Sequence, residues 1–159
     1  MRLFHGSRDR FDQVDLDKSR DRRDFGRGFY TTTIRNQAEA WAKSMRLRAG
    51  GSQGFVYEFS FEPELGLNRL AFPEMNSDWL EMVKDHRSLG GLRHSYDVVS
   101  GPVADDRTFR TIALYLEGDL TVEQAIQRLR HFEPNDQVSF HTSQALRCLT
   151  LVERHELGN

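Results

Sequence analysis

Cysteine, lysine and long apolar runs are what this chain has least of. Cys148 is the single cysteine in 159 residues, so no intrachain disulfide can form, which suits a reducing compartment. It lies between Leu146 and Leu149, a setting for a buried structural thiol rather than a nucleophile. No stretch approaches the roughly 20 apolar residues of a membrane-spanning helix. The N-terminus is charged from Arg2 and carries no apolar leader. A soluble, cytoplasmic protein without a membrane partner is expected. Internal repeats and low-complexity segments are also missing. Only 3 of the 22 basic side chains are lysine, leaving 19 arginines, and the formal net charge is −2. That charge gives no global drive toward nucleic acid or an anionic membrane. Arginine suits bidentate contacts to phosphate or carboxylate, although GC-rich coding gives the same bias. With 38% hydrophobic residues and 11 phenylalanines, the chain can build a real core as one domain over residues 1–159.

The pattern along the chain reads as α+β. Strands are expected at 2–5, 28–32, 55–61, 67–70, 96–100, 137–142 and 149–154, from β-forming runs bounded by turn residues. Helices are expected at 37–48, where Ala38, Trp41, Ala42 and Met45 recur at helical spacing, and at 78–86, capped by Asn76 or Ser77. Others run over 106–116, with Asp106 as N-cap, and over 121–131, where Thr121 and Gln124 have capping-box spacing. A short helix follows Ser143. Residues 8–24 form a charged connection. Its cluster Lys18, Arg20, Arg22, Arg23 and Arg27 is broken by Asp21 and Asp24 and reads as solvated chain, with phosphate tracking as the competing reading.

Two segments stand out, Leu3-Phe4-His5-Gly6-Ser7 and Asp24-Phe25-Gly26-Arg27-Gly28-Phe29-Tyr30-Thr31-Thr32. Their glycines allow close backbone approach or positive φ. His5, Tyr30 and exposed backbone amides on neighbouring strands form a slot for a flat polar ring such as nicotinamide. His-Gly-Ser followed by Gly-Phe-Tyr-Thr resembles the first two motifs of the His-Tyr-Glu class of ADP-ribosyltransferases, the diphtheria-toxin and poly(ADP-ribose) polymerase class. The whole chain resembles a family of small bacterial proteins long catalogued as a domain of unknown function and grouped with those enzymes. The resemblance runs through Lys18-Ser19, Gln37-Ala38-Glu39, the distinctive Tyr96–Asp106 run and Gln137-Val138-Ser139-Phe140-His141-Thr142.

That resemblance implies split antiparallel sheets with peripheral helices, NAD as co-substrate, no metal, and mono-ADP-ribosyl transfer to a macromolecule. It further implies a bacterial toxin of a toxin–antitoxin or phage-conflict system, held in check by a small antitoxin protein. By the same resemblance His5 orients NAD through the adenine-side ribose, the Gly6 backbone binds the nicotinamide carboxamide, Ser7 lies close by and Tyr30 stacks on the ring. Phe25, Arg27 and Gly28 sit beside the slot; Arg27 reads equally as a ligand of the diphosphate and as a solvated surface arginine. Phe29 and Tyr30 point to opposite faces of their strand, Tyr30 into the cleft. The pattern departs at Gln137, where the class has glutamate. Glutamine can hydrogen-bond a ribose hydroxyl but supplies no negative charge and no general base. A catalytically inactive nucleotide-binding module is therefore the main rival, and a transferase acting on nucleic acid the next. Glu133, four residues earlier, is read as structural or solvated. Asp97, Asp105 and Asp106 lack the clustered ligands of a metal site, and His86, His94, His131, His141 and His155 show no metal spacing.

Overall fold

The computed structural model describes residues 1–51, 53–106, 108–130 and 135–158. The readings at His131 and Glu133 lie outside the described residues. Two sheets carry the fold. The first has strands β1 (Arg2–Ser7), β3 (Phe55–Phe61) and β7 (Leu149–Glu156), in the order β1-β3-β7 and antiparallel. The second has β2 (Phe29–Thr31), β4 (Arg69–Ala71), β5 (Val98–Gly101) and β6 (Gln137–Phe140), in the order β2-β6-β5-β4. Its β4–β5 pair is parallel, so this sheet is mixed and not wholly antiparallel. Neither sheet closes into a barrel.

Alternation builds four layers. Leu3, Tyr57, Phe59 and Phe61 from the first sheet meet Phe29, Val98, Val138 and Phe140 from the second, so the sheets pack face to face. The outer face of the first sheet is covered by α1 (Arg35–Arg48), whose Ala38 and Ala42 lie on Val56. The outer face of the second is covered by α2 (Ser77–Leu89), α3 (Phe109–Leu116) and α4 (Val122–Leu129), through Trp79, Leu80, Val83, Ile112, Ala125 and Leu129. The short α5 (Ser143–Leu146) turns the chain into β7. No described helix is long and apolar enough to cross a membrane.

Local chemistry explains most boundaries. Asn76 caps α2 by accepting from the Trp79 N–H at 2.9 Å. Thr121 and Gln124 make both bonds of the capping box, at 3.2 and 2.9 Å. Asp106 is not the cap of α3: the Thr108 N–H donates to Asp105 O at 3.0 Å, and the helix starts after Thr108. Thr142, rather than Ser143, caps α5 through the Ala145 N–H.

Candidate functional site

Strands β1 and β2 bring the two sheets together at one rung only. Phe4 and Thr32 exchange both backbone bonds, at 2.7 and 2.9 Å. The next rung would pair Gly6 with Tyr30. The His5 side chain takes that place, its Nδ1 lying 2.6 Å from the Tyr30 carbonyl oxygen. A carbonyl only accepts, so Nδ1 carries the proton and Nε2 is left as a lone-pair acceptor. Antiparallel alternation turns the Gly6 N–H and C=O to the same side as those of Phe4, into the gap where the strands part. Outside the β1–β3 ladder, no hydrogen bond among the described residues falls on the Gly6 N–H or C=O or on His5 Nε2.

His5 packs on Phe29, ring centroids 4.4 Å apart, with Phe11 edge-on at 5.9 Å. Burial holds its imidazole down to about 4; the Tyr30 carbonyl opposes this and the Arg23 charge adds to it. Gly6 is glycine for a packing reason: a Cβ there would lie 2.1 Å from the Ala38 carbonyl oxygen of α1. The Ser7 hydroxyl accepts from the Asp9 N–H at 3.0 Å.

Phe29 and Tyr30 do face opposite ways, yet both are buried, and Tyr30 is only 3% exposed. The Tyr30 hydroxyl donates to Gly26 O at 2.6 Å and accepts from the Phe25 N–H at 3.0 Å. Burial pushes this phenol up. The Arg23 guanidinium lies over the ring, 4.2 Å from its centroid, so Tyr30 presents no open stacking face here. Phe25 is a core residue against Phe72. The Arg27 side chain is tied to Ser19 O at 3.1 Å. A Cβ at Gly28 would meet His141 Nδ1 at 2.6 Å, so Gly28 lets β6 pack closely.

Gln137 shares a sheet face with Tyr30, whose partner on β6 is Ser139. Its amide is committed to a buried carboxylate: Nε2 donates to Asp24 Oδ2 at 2.8 Å and to Pro102 O at 3.1 Å. Arg87 Nε donates to Asp24 Oδ1 at 2.9 Å, with Nη2 2.8 Å away, and the Ala104 N–H reaches Oδ2 at 2.8 Å. The Tyr96–Asp106 run thus closes this knot through Pro102 and Ala104. Its Asp97 ties Thr142 to Asn68, bonds that lower its carboxyl below the ordinary range.

Sequence reasoning missed the Asp24–Arg87 pair, the cover on Tyr30 and a histidine trio. His141 Nδ1 donates to Arg27 O, and His94 Nε2 to Phe25 O, each at 2.7 Å. The Gly26 Cβ position is blocked by His86. Together these rings grip residues 25–28. Burial lowers His94, and lowers His141 to about 4, so both stay neutral at physiological pH. His155, read as having no metal spacing, meets Glu58 and Glu153 across β3 and β7, with ligand atoms within 4.8 Å of one another. Arg2 already lies 3.6 Å from Glu58 there.

A family model described as a protein of unknown function, DUF3990, matches residues 1–151. The chain belongs to the DUF3990 family. That family description states no activity, and no curated protein or solved structure matches the chain. Within this DUF3990 protein, the parted β1–β2 edge brings His5, Gly6 and the Tyr30 backbone together. It does not bring Phe25, Arg27 or the Gln137 amide to them as free groups.

Proposed function

We propose that this DUF3990 protein transfers ADP-ribose from NAD to a macromolecular acceptor. The observation that supports it is the gap beside the Phe4–Thr32 rung. There, outside the β1–β3 ladder, a backbone N–H, a backbone C=O and the Nε2 lone pair of a neutral histidine meet no hydrogen-bond partner among the described residues. This donor–acceptor pair on Gly6 matches a carboxamide, and His5 Nε2 matches a ribose hydroxyl. When bound, NAD supplies an ADP-ribosyl group and a neutral leaving base. The bond from the nicotinamide nitrogen to the ribose anomeric carbon breaks with its electron pair leaving on nicotinamide, and a bond to the acceptor nucleophile forms. Gly6 would orient the leaving ring and His5 the sugar. Since Gln137 cannot take a proton, the acceptor's own proton goes to a base on the acceptor or to solvent water. Such a transferase fits a bacterial toxin restrained by a small antitoxin.

A second reading is favoured by one observation: Gln137 is 2% exposed and bonded to Asp24, so the place of the class glutamate holds structure instead of catalysis. On that reading the protein binds a dinucleotide without turnover. Incubation of the purified protein with radiolabelled NAD and a cleared bacterial lysate separates the two. The transferase reading expects label in protein or nucleic acid and release of nicotinamide, both lost in His5→Ala. Binding of NAD in calorimetry with no transfer and no nicotinamide would select the binding module.

A further inference from the structure

The arginines around the Tyr30 loop are nearly all committed. Arg22 donates to Arg87 O and Ser88 O, Arg27 to Ser19 O, Arg87 to Asp24 and Ala104 O, and Arg93 to Gly90 O. Arg23 is different. It is half-buried, its guanidinium rests on the Tyr30 ring, and among the described residues none of its N–H groups meets a carboxylate or carbonyl. Its backbone is anchored on both sides. The Arg22 guanidinium ties one neighbour to the end of α2, the Asp24 carboxylate ties the other to Arg87 and Gln137, and Gly26 N–H closes onto Arg23 O at 3.1 Å. The one nearby buried carboxylate, Asp24, is neutralised by Arg87. The region therefore holds an uncompensated planar cation. The ring it covers belongs to the residue whose carbonyl oxygen lies 2.6 Å from His5 Nδ1.

We propose that Arg23 is a two-position anion ligand: it covers the Tyr30 ring when the gap is empty and swings onto a diphosphate when one enters. The guanidinium fork matches two phosphate oxygens, and a ring-stacked arginine is already stripped of much of its water. Leaving Tyr30 uncovers the aromatic face that a flat ring needs, so the same movement prepares both ends of a dinucleotide. Naming that dinucleotide as NAD rests on the function proposed above; the diphosphate site on Arg23 does not.

Calorimetry on the full chain tests this with ADP-ribose, NAD, inorganic pyrophosphate and nicotinamide as probes, for the parent, Arg23→Ala and Arg23→Lys. The expected result is a loss of tenfold or more in ADP-ribose and pyrophosphate affinity in Arg23→Ala and a partial loss in Arg23→Lys. Nicotinamide, which has no phosphate, should bind Arg23→Ala at least as tightly as the parent. A purely structural arginine would weaken every probe alike, and that result overturns the proposal. ADP-ribose and NAD binding Arg23→Ala as tightly as the parent overturns it too, while leaving the NAD reading in place. Pyrophosphate bound by the parent and lost in Arg23→Ala, with no NAD binding, supports the anion site and removes the NAD reading. No probe bound by the parent removes both.

Discussion

Gln137→Glu is the substitution that tests the role of the Gln137 amide, and the structure expects it to harm the protein. The Gln137 amide donates to a buried carboxylate oxygen of Asp24 at 2.8 Å. A glutamate there sets two carboxylates against each other, so the pair must hold one proton. A protonated glutamic acid can donate the missing bond, and the cost is then that of keeping the proton at pH 7. An ordinary glutamate titrates at about 4.3, so this costs about 3.7 kcal/mol, decreasing by about 1.4 kcal/mol for each pH unit of acidification. Arg87 lowers this pH-dependent part by lending charge to either carboxylate, while the single O–H of the acid leaves the second bond, to Pro102 O, unmade at every pH. For a chain of this length each kcal/mol moves the melting temperature by roughly 2–4 °C. Thermal unfolding of parent and variant at pH 7 and pH 5 should show a gap of several degrees that shrinks at the lower pH. A variant as stable as the parent at pH 7, or a gap that widens on acidification, refutes the role given to Gln137. A gain in transfer activity without loss of stability does so as well.

Gly6→Ala should destabilise the protein by about 3 kcal/mol in urea unfolding, because its Cβ would meet a helix carbonyl that cannot give way. Acid should destabilise the fold through its buried histidines. His141 titrates at about 4 in the folded chain against an ordinary 6.5. The unfolded chain therefore binds more protons between those values, and stability is full above pH 6.5 and falls as pH drops toward 4. For His141 the loss totals about 3 kcal/mol, and His5 adds to it with the same sign. Melting temperature followed across that window should fall, with a shallower slope in His141→Gln; an unchanged slope refutes the assignment.

What could be read from the sequence was what neighbours in the chain decide. The capping box of α4 and the Asn76 cap of α2 need only residues three apart. The alternation of Phe29 and Tyr30 needs only strand geometry. The uses of Gln137 and Arg23 need the tertiary fold. Asp24 lies 113 residues from the glutamine that it binds, and no local pattern marks it as a buried carboxylate. The glycines were legible as close approaches, but what approached was α1 at Gly6 and the histidine rings at Gly26 and Gly28. Arg27, inside the motif, read equally as a phosphate ligand and as a solvated arginine; its Nη2 is turned to Ser19 O, while the Arg23 guanidinium lies on the Tyr30 ring with no hydrogen-bond acceptor among the described residues.

The second sheet assigns β2 a single neighbour, β6. During synthesis β1 and β2 are made about a hundred residues before β6, and β2 has no ladder to join until residues 137–140 have left the ribosome. The Asp24 carboxylate likewise waits for Arg87, Ala104 and Gln137 in turn. Between β2 and β6 the growing chain therefore carries His5 and Tyr30 made but not held in register. Whatever the gap binds, it cannot bind it before residues 137–140 have been made.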